Sequence, residues 1–441
     1  MVARASADPV TVERAQHPAA VARPPAPKLE ALTSLRFFAA AMIVILHTRG
    51  FFGVPETVLS AFTLGQGVTF FFVLSGFILA YVYPSLDRRG TRRFLVARVA
   101  RIWPLHATAF LLFFVAVPLG AAPVPGSKTP GIALLNLALL HAWIPANRYN
   151  FSFNAPSWSI SVEFFFYACF PLLIARWRRT WAVKLGLALG LALAAVLVAN
   201  YGLHRLPAGV TVTGLVYNYP LARLWEFTLG IATARLWRHL RPRLSLSRFR
   251  GTLLELAALG VVLLVMYQSL AWTLAVRRRW NIGDGGFLWV LETGFIAVPF
   301  AVMIGVLAFE RGWASRVLAW SPLVLLGEIS YSIYLLHTLI LLAILYRPAR
   351  FARVPPRDMY ALYWLIVLLA AYLSWSVIEQ PVRRVVVAWW DRRFAHTPPP
   401  TRASTPAMPR ARRVPGLTTP TWRRSLAAVC ALLCIGAVLF A

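Results

Sequence analysis

The chain has 441 residues, 59% of them hydrophobic, and carries 45 Lys and Arg against 15 Asp and Glu, a formal net charge of +30. A soluble domain of this length does not need so large an apolar share, and the mean hydropathy of +0.65 points away from one. The charge alone would suggest nucleic-acid binding, but the basic residues cluster in short loops between apolar runs, a topology signal that requires no nucleic acid.

Residues 1–30 are rich in Ala, Pro and Arg and have no apolar run, so they read as a disordered cytoplasmic tail and not as a cleaved signal peptide. Beyond them, apolar runs of about 18 residues or more predict an all-α polytopic membrane protein of about ten spans. The spans fall at about 32–52, 64–83, 102–122, 156–175, 181–200, 219–237, 252–274, 285–308, 322–345 and 359–379. A shorter stretch, 131–144, reads as re-entrant or interfacial. The membrane domain is placed at 31–385, a Pro/Arg-rich linker at 386–424 and a short candidate eleventh span at 425–441. Basic segments at 85–101, 176–181 and 238–250, the segment after Glu379 and the N-terminal tail fall on one side. The positive-inside rule puts that side in the cytoplasm, the topology signal of an inner membrane protein. RRRW at 277–280 and the stretch from Arg347 to Arg357 dissent, either serving an anionic substrate outside or being merely tolerated. Cys169, Cys430 and Cys434 lie in apolar runs without disulfide or metal spacing.

The first span, SLRFFAAAMIVILHT, carries Arg36 and His47. Eleven steps of 100° come to about three turns plus 20°, so the two share a face about 16 Å apart along the axis. An ionisable residue inside a membrane is a functional candidate by default; the structural alternative is a snorkelling Arg and a packed His. In SWSISVEFFFY, Ser159 and Glu163 stand four apart on one face, and Glu163 lies at the depth of His47. A carboxylate there would orient the imidazole, with Arg223 as the rival partner. Arg223, Glu226, Glu292 and His337 add to an ionisable layer drawn from five helices, costly unless it lines a shared wet cavity. Arg98 and Arg101, three apart, would form with Arg36 a basic mouth suited to phosphates, against the alternative of positive-inside anchoring. Ser75 and Gly76 mark a close-packing spot, and Gly186 and Gly190 match GxxxG, a pattern that chance supplies as readily. Pro381 is expected to stop the tenth span, with Glu379 pairing with Arg383 or Arg384.

Taken together these stretches resemble the acyltransferase family 3 membrane proteins, bacterial surface-polysaccharide O-acetyltransferases. The carriers are Arg36 and His47, FFVLSGF at 71–77, Arg98 and Arg101 leading into IWPLH, SWSISVEFFFY at 157–167, RLWEFTLG at 223–230, GEISYSIYLLH at 327–337 and IEQP at 378–381. The resemblance spans about residues 30–385. It implies acyl transfer from cytoplasmic acyl-CoA, by default acetyl-CoA, to a carbohydrate or glycolipid acceptor, often outside. It makes His47 the catalytic histidine and Arg36, Arg98 and Arg101 the donor-binding residues, with Ser159 and Glu163 contributing from their motif. On the residues themselves, the CoA pantetheine arm would rise beside the first span, His47 would act as general base, and backbone groups or Arg223 would stabilise the oxyanion. The alternative is a secondary transporter or lipid flippase, which also needs polar groups at mid-depth.

Overall fold

The computed structural model describes residues 26–52, 61–118 and 120–394, and every regular element among them is helical. The disordered tail expected at 1–25, most of the linker and the candidate span at 425–441 fall outside the described residues. The long helices are α1 Glu30–Thr48, α2 Gly67–Val82, α3 Arg88–Ala116, α4 Ser157–Ile174, α5 Trp177–Leu197, α6 Pro220–Leu240 and α7 Arg248–Trp280. They are followed by α8 Asp284–Leu307, the bent pair α9 Ser321–Glu328 and α10 Ser330–Leu345, then α11 Pro356–Ser374 and α12 Gln380–Phe394.

Among the described residues, eight helical stretches are long and apolar enough to cross a membrane, and nine if the pair α9–α10, bent by 60°, counts as one. The tenth expected span is α6. It is 21 residues long but carries Arg223, Glu226, Arg235 and Arg238, which places it below a purely apolar standard. The chain is thus an all-α polytopic integral membrane protein. The segment 131–144 forms a short helix, Pro130–Leu137, and a single turn at His141–Trp143, too short to span.

Two boundaries differ from the sequence expectation. The third span begins at Arg88 and not near 102, because Asp87 caps it: its carboxylate accepts from Gly90 N at 2.6 Å. The basic segment is therefore helical and presents Arg98 and Arg101 from α3. The tenth span does not stop at Pro381. A π turn, Trp375–Glu379, takes up the missing backbone donor, and α12 continues to Phe394, past the expected limit at 385. Arg93 holds α12 to α3 through a two-pronged contact with Asp391 at 2.7 and 2.8 Å.

Helix α2 is the central helix, and its most extensive partner is α6. Between lipid-solvated helices there is little hydrophobic drive, so close backbone approach and dispersion must supply the attraction. Gly76 and Gly230 provide it. A Cβ at Gly76 would lie 2.0 Å from Phe227 O, and one at Gly230 would lie 2.0 Å from Val73 O. The close-packing spot read at Gly76 is a helix crossing. By contrast nothing lies within 4 Å of a Cβ placed on Gly186 or Gly190, so that pair packs against nothing among the described residues. α5 is the least buried of the long helices, and α5 and α7 both present apolar faces such as Val183, Leu187, Leu253 and Leu263 outward.

Gly76→Ala is expected to destabilise the protein by about 1–3 kcal/mol or more through overpacking, whereas Gly186→Ala should be close to neutral. Thermal melts of the two variants in one detergent check this.

Candidate active site

A cavity of about 470 Å³ opens at the end of the bundle where the basic segments gather. Arg36 of α1, Arg98 and Arg101 of α3, Arg383 of α12 and Lys28 line it there, with Glu379 among them. Its lining on α2 runs from Tyr83 to Val68, about 22 Å at 1.5 Å per residue, so the cavity is deep and narrow. The three arginines singled out from sequence thus meet on one wall set. Arg98 is 7% exposed, and its guanidinium lies 5.8, 5.7 and 5.7 Å from the ring centres of Tyr83, Phe94 and Tyr167. Rings hold its charge without using its hydrogen-bonding edge, and Arg98 Nε has no partner. Arg98 as a whole lines the cavity, although this nitrogen is itself buried. Arg383, which sequence reasoning considered only as a partner for Glu379, belongs to this cluster because the helix does not end at Pro381.

Deeper in the cavity stand Ser75, Ser159 and Glu163. Glu163 Oε1 accepts from Tyr167 OH at 2.6 Å, one turn along α4, and from Ser75 Oγ at 3.1 Å across the bundle. Ser75 sits next to Gly76, so the crossing that seats Gly76 against α6 turns Ser75 into the cavity. Ser159 Oγ donates to Pro156 O at 2.9 Å, so its contact with Tyr334 OH at 2.8 Å has the phenol as donor. Ser75, Tyr167 and Tyr334 were not picked out as site residues from sequence. The only signal was their place inside the SGF, SVEFFFY and SYSIYLLH stretches.

His47 does not line this cavity, and Glu163 is not its partner. Glu163 is occupied by Ser75 and Tyr167, while His47 Nδ1 lies 2.9 Å from His337 Nε2, the two rings being parallel within 11°. Nor does this cavity follow α1 upward: its lining on that helix ends at Arg36. Above Arg36 the helix packs tightly: Ala40 and Val44 are 0% exposed, and a Cβ on Gly67 would lie 2.9 Å from Ala39 O. The cavity rises along α2 instead. Its upper limit, Val68, follows Gly67, which touches Ala39 and Ile43, and Ile43 lies one helical turn below His47.

The ionisable layer divides into three groups. One is His47 with His337, and the second is Glu163 with its hydroxyl partners. The third encloses Arg223, which is 0% exposed: Nε donates to Glu226 Oε2 at 3.0 Å and Nη2 to Thr69 Oγ1 at 3.0 Å. The rings of Tyr217 and Phe72 cover its guanidinium at 4.7 and 5.2 Å. Thr69 Oγ1 also donates to the carbonyl of Glu292, at 2.9 Å, in the π turn Val290–Gly294. Arg223 is therefore neither the partner of Glu163 nor beside His47; it ties α6 to α2. The dissenting basic loops are tied down locally as well. Arg347 donates to Ala116 O and Val115 O, capping α3, and Arg277 pairs with Asp284 at 2.9 Å.

Residues 29–379 match the family described as the acyltransferase domain. Acyltransferase MdmB of Streptomyces mycarofaciens is 32% identical over 337 residues, covering 71% of this chain and 79% of the relative. Exopolysaccharide production protein ExoZ of Rhizobium meliloti (strain 1021) is 28% identical, covering 73% of this chain and 91% of the relative. The putative peptidoglycan O-acetyltransferase YrhL of Bacillus subtilis (strain 168) is 26% identical over 75% of this chain, which spans about half of that relative, 52%. No solved structure matches the chain.

Removing one partner of a buried ion pair leaves the other charge unpaired and costs about 3–5 kcal/mol. Arg223→Ala is accordingly expected to lower the detergent melting temperature strongly, and Arg223→Ala combined with Glu226→Gln less than the single change, as measured in a double-mutant cycle.

Proposed function

The chain belongs to the acyltransferase-domain family, and from that premise we propose that it is an O-acetyltransferase of the bacterial inner membrane with its N-terminus in the cytoplasm. It moves an acetyl group from cytoplasmic acetyl-CoA to a hydroxyl of a cell-surface carbohydrate or glycolipid. Relatives named for peptidoglycan O-acetylation and exopolysaccharide production support the acceptor class. The observation that carries the proposal is a cavity that holds Arg36, Arg98 and Arg101 at one end and runs along α2 as far as Val68 at the other.

The CoA phosphates lie against the arginines, where planar guanidinium groups give paired, charge-assisted hydrogen bonds. The pantetheine arm is long and uncharged and fills the shaft along α2. Glu163, with Ser75 and Tyr167, and Ser159, with Tyr334, border that shaft and offer acceptors to amide N–H groups of the arm. The shaft carries the thioester as far as Val68, so transfer at His47 requires the contact of Gly67 with Ala39 above it to part, and the acceptor hydroxyl comes from the outer side. The hydroxyl oxygen attacks the thioester carbonyl carbon while His47 takes its proton. The C–S bond breaks, and the imidazolium returns that proton to the departing thiolate. The products are an acetyl ester and free CoA thiol. Arg223, enclosed in its own cluster, has no part in this assignment.

The test is transfer of labelled acetyl-CoA to candidate polysaccharide by the purified protein. His47→Ala is expected to lower the rate by about 10²–10⁴-fold with folding intact. Arg98→Ala and Arg101→Ala should each raise KM for acetyl-CoA about tenfold or more, the loss of a charge-assisted hydrogen bond, and move kcat less. Unchanged transfer by His47→Ala removes its role as base. Movement of glycolipid without consumption of acetyl-CoA would make the protein a transporter.

A further inference from the structure

We infer that His337 is a positioning residue of the transfer step: it holds His47 in the Nδ1–H tautomer and leaves His47 Nε2 as the nitrogen that takes the proton. This rests on His47 being the base. A histidine in the last turn of a helix has a ring free to rotate and two tautomers of similar energy, so unaided it presents the wrong nitrogen much of the time.

Hydrogen-bond roles around His337 are decided by one atom. His337 Nδ1 lies 2.6 Å from Tyr334 O. A carbonyl oxygen only accepts, so the ring proton is on Nδ1, and Nε2 of the neutral ring carries the lone pair. The 2.9 Å contact to His47 then requires the proton on His47 Nδ1. Thr338 Oγ1, at 3.0 Å, approaches the same acceptor. The lone pair of His47 that no described residue occupies is on Nε2, across its ring from His337.

His337 is suited to fix this arrangement because it is itself fixed. It is 0% exposed, and Tyr363 OH donates to its backbone carbonyl at 3.1 Å from α11. Tyr334, one turn earlier on α10, is anchored by its phenol to Ser159 on the cavity wall. A continuous string of contacts therefore joins the cavity wall on α4 to the imidazole on α1 through α10.

The test uses the full chain labelled with ¹⁵N-histidine, together with steady-state kinetics. In the wild type, the His47 ¹⁵N spectrum should show a protonated Nδ1 and an unprotonated Nε2; a protonated Nε2 overturns the inference without recourse to any variant. His337→Ala should lower kcat by about 10–100-fold, as loss of an orienting partner does elsewhere, leave KM for acetyl-CoA unchanged, and mix the His47 tautomers. His337→Gln, whose amide oxygen can accept from His47 Nδ1–H, should recover most of the rate. Wild-type kcat in His337→Ala, with His47→Ala inactive, overturns the inference and leaves the base assignment standing. Wild-type transfer in His47→Ala instead removes the assignment on which the inference rests.

Discussion

The crossing of α2 and α6 at Gly76 and Gly230 is the joint on which the rest of the molecule depends. Two backbones meet there without side chains between them, each Cα facing a carbonyl of the other helix. A membrane protein cannot draw on hydrophobic exclusion to bring helices together, since lipid is as apolar as leucine; contact must come from shape. With α2 seated in this way, its other faces acquire fixed tasks. Ser75 turns into the cavity and reaches Glu163, while Thr69, toward the other end of α2, reaches Arg223 and Glu226. Moving α2 outward by the width of a methyl group would disturb both contacts at once.

The same helix separates two kinds of buried polarity. Arg223 and Glu226 satisfy each other, and rings close over the guanidinium, so the charge there is spent on holding helices. The arginines of the cavity are arranged in the opposite sense. Arg36, Arg98, Arg101 and Arg383 converge from α1, α3 and α12, and part of their donor capacity, such as Arg98 Nε, is left unused. Cations that outnumber the carboxylates among the described residues of a deep shaft are what an anionic donor molecule requires, and this contrast is why the two arginine groups receive different roles. The π turns contribute too: one carries Glu292 and another carries Glu379, each interrupting a helix where a polar group must face inward.

His47 illustrates how a residue and its surroundings differ in legibility. Its standing as a candidate was readable, since an imidazole on an apolar helix demands an explanation. Its partner was not. Glu163 was the obvious candidate by depth, but depth is one coordinate, and azimuth about each helix decides contact. Ser75 and Tyr167 take up Glu163, and a second histidine 290 residues away in the chain meets His47. The shaft likewise follows α2 and not α1, because Gly67 brings the two helices into contact above Arg36.

What the sequence by itself determined is the membrane class, the all-α architecture, the positions of most spans and the set of arginines at one end. These depend on composition, run length and charge distribution along the chain, all local quantities. What only the tertiary structure decided is which buried groups pair, where the cavity runs, and that Pro381 does not end its helix. Those outcomes turn on the rotation and closest approach of helices far apart in sequence, set by single glycines and by caps such as Asp87. A hydrophobic pattern does not specify rotation about a helix axis when lipid and protein are equally apolar.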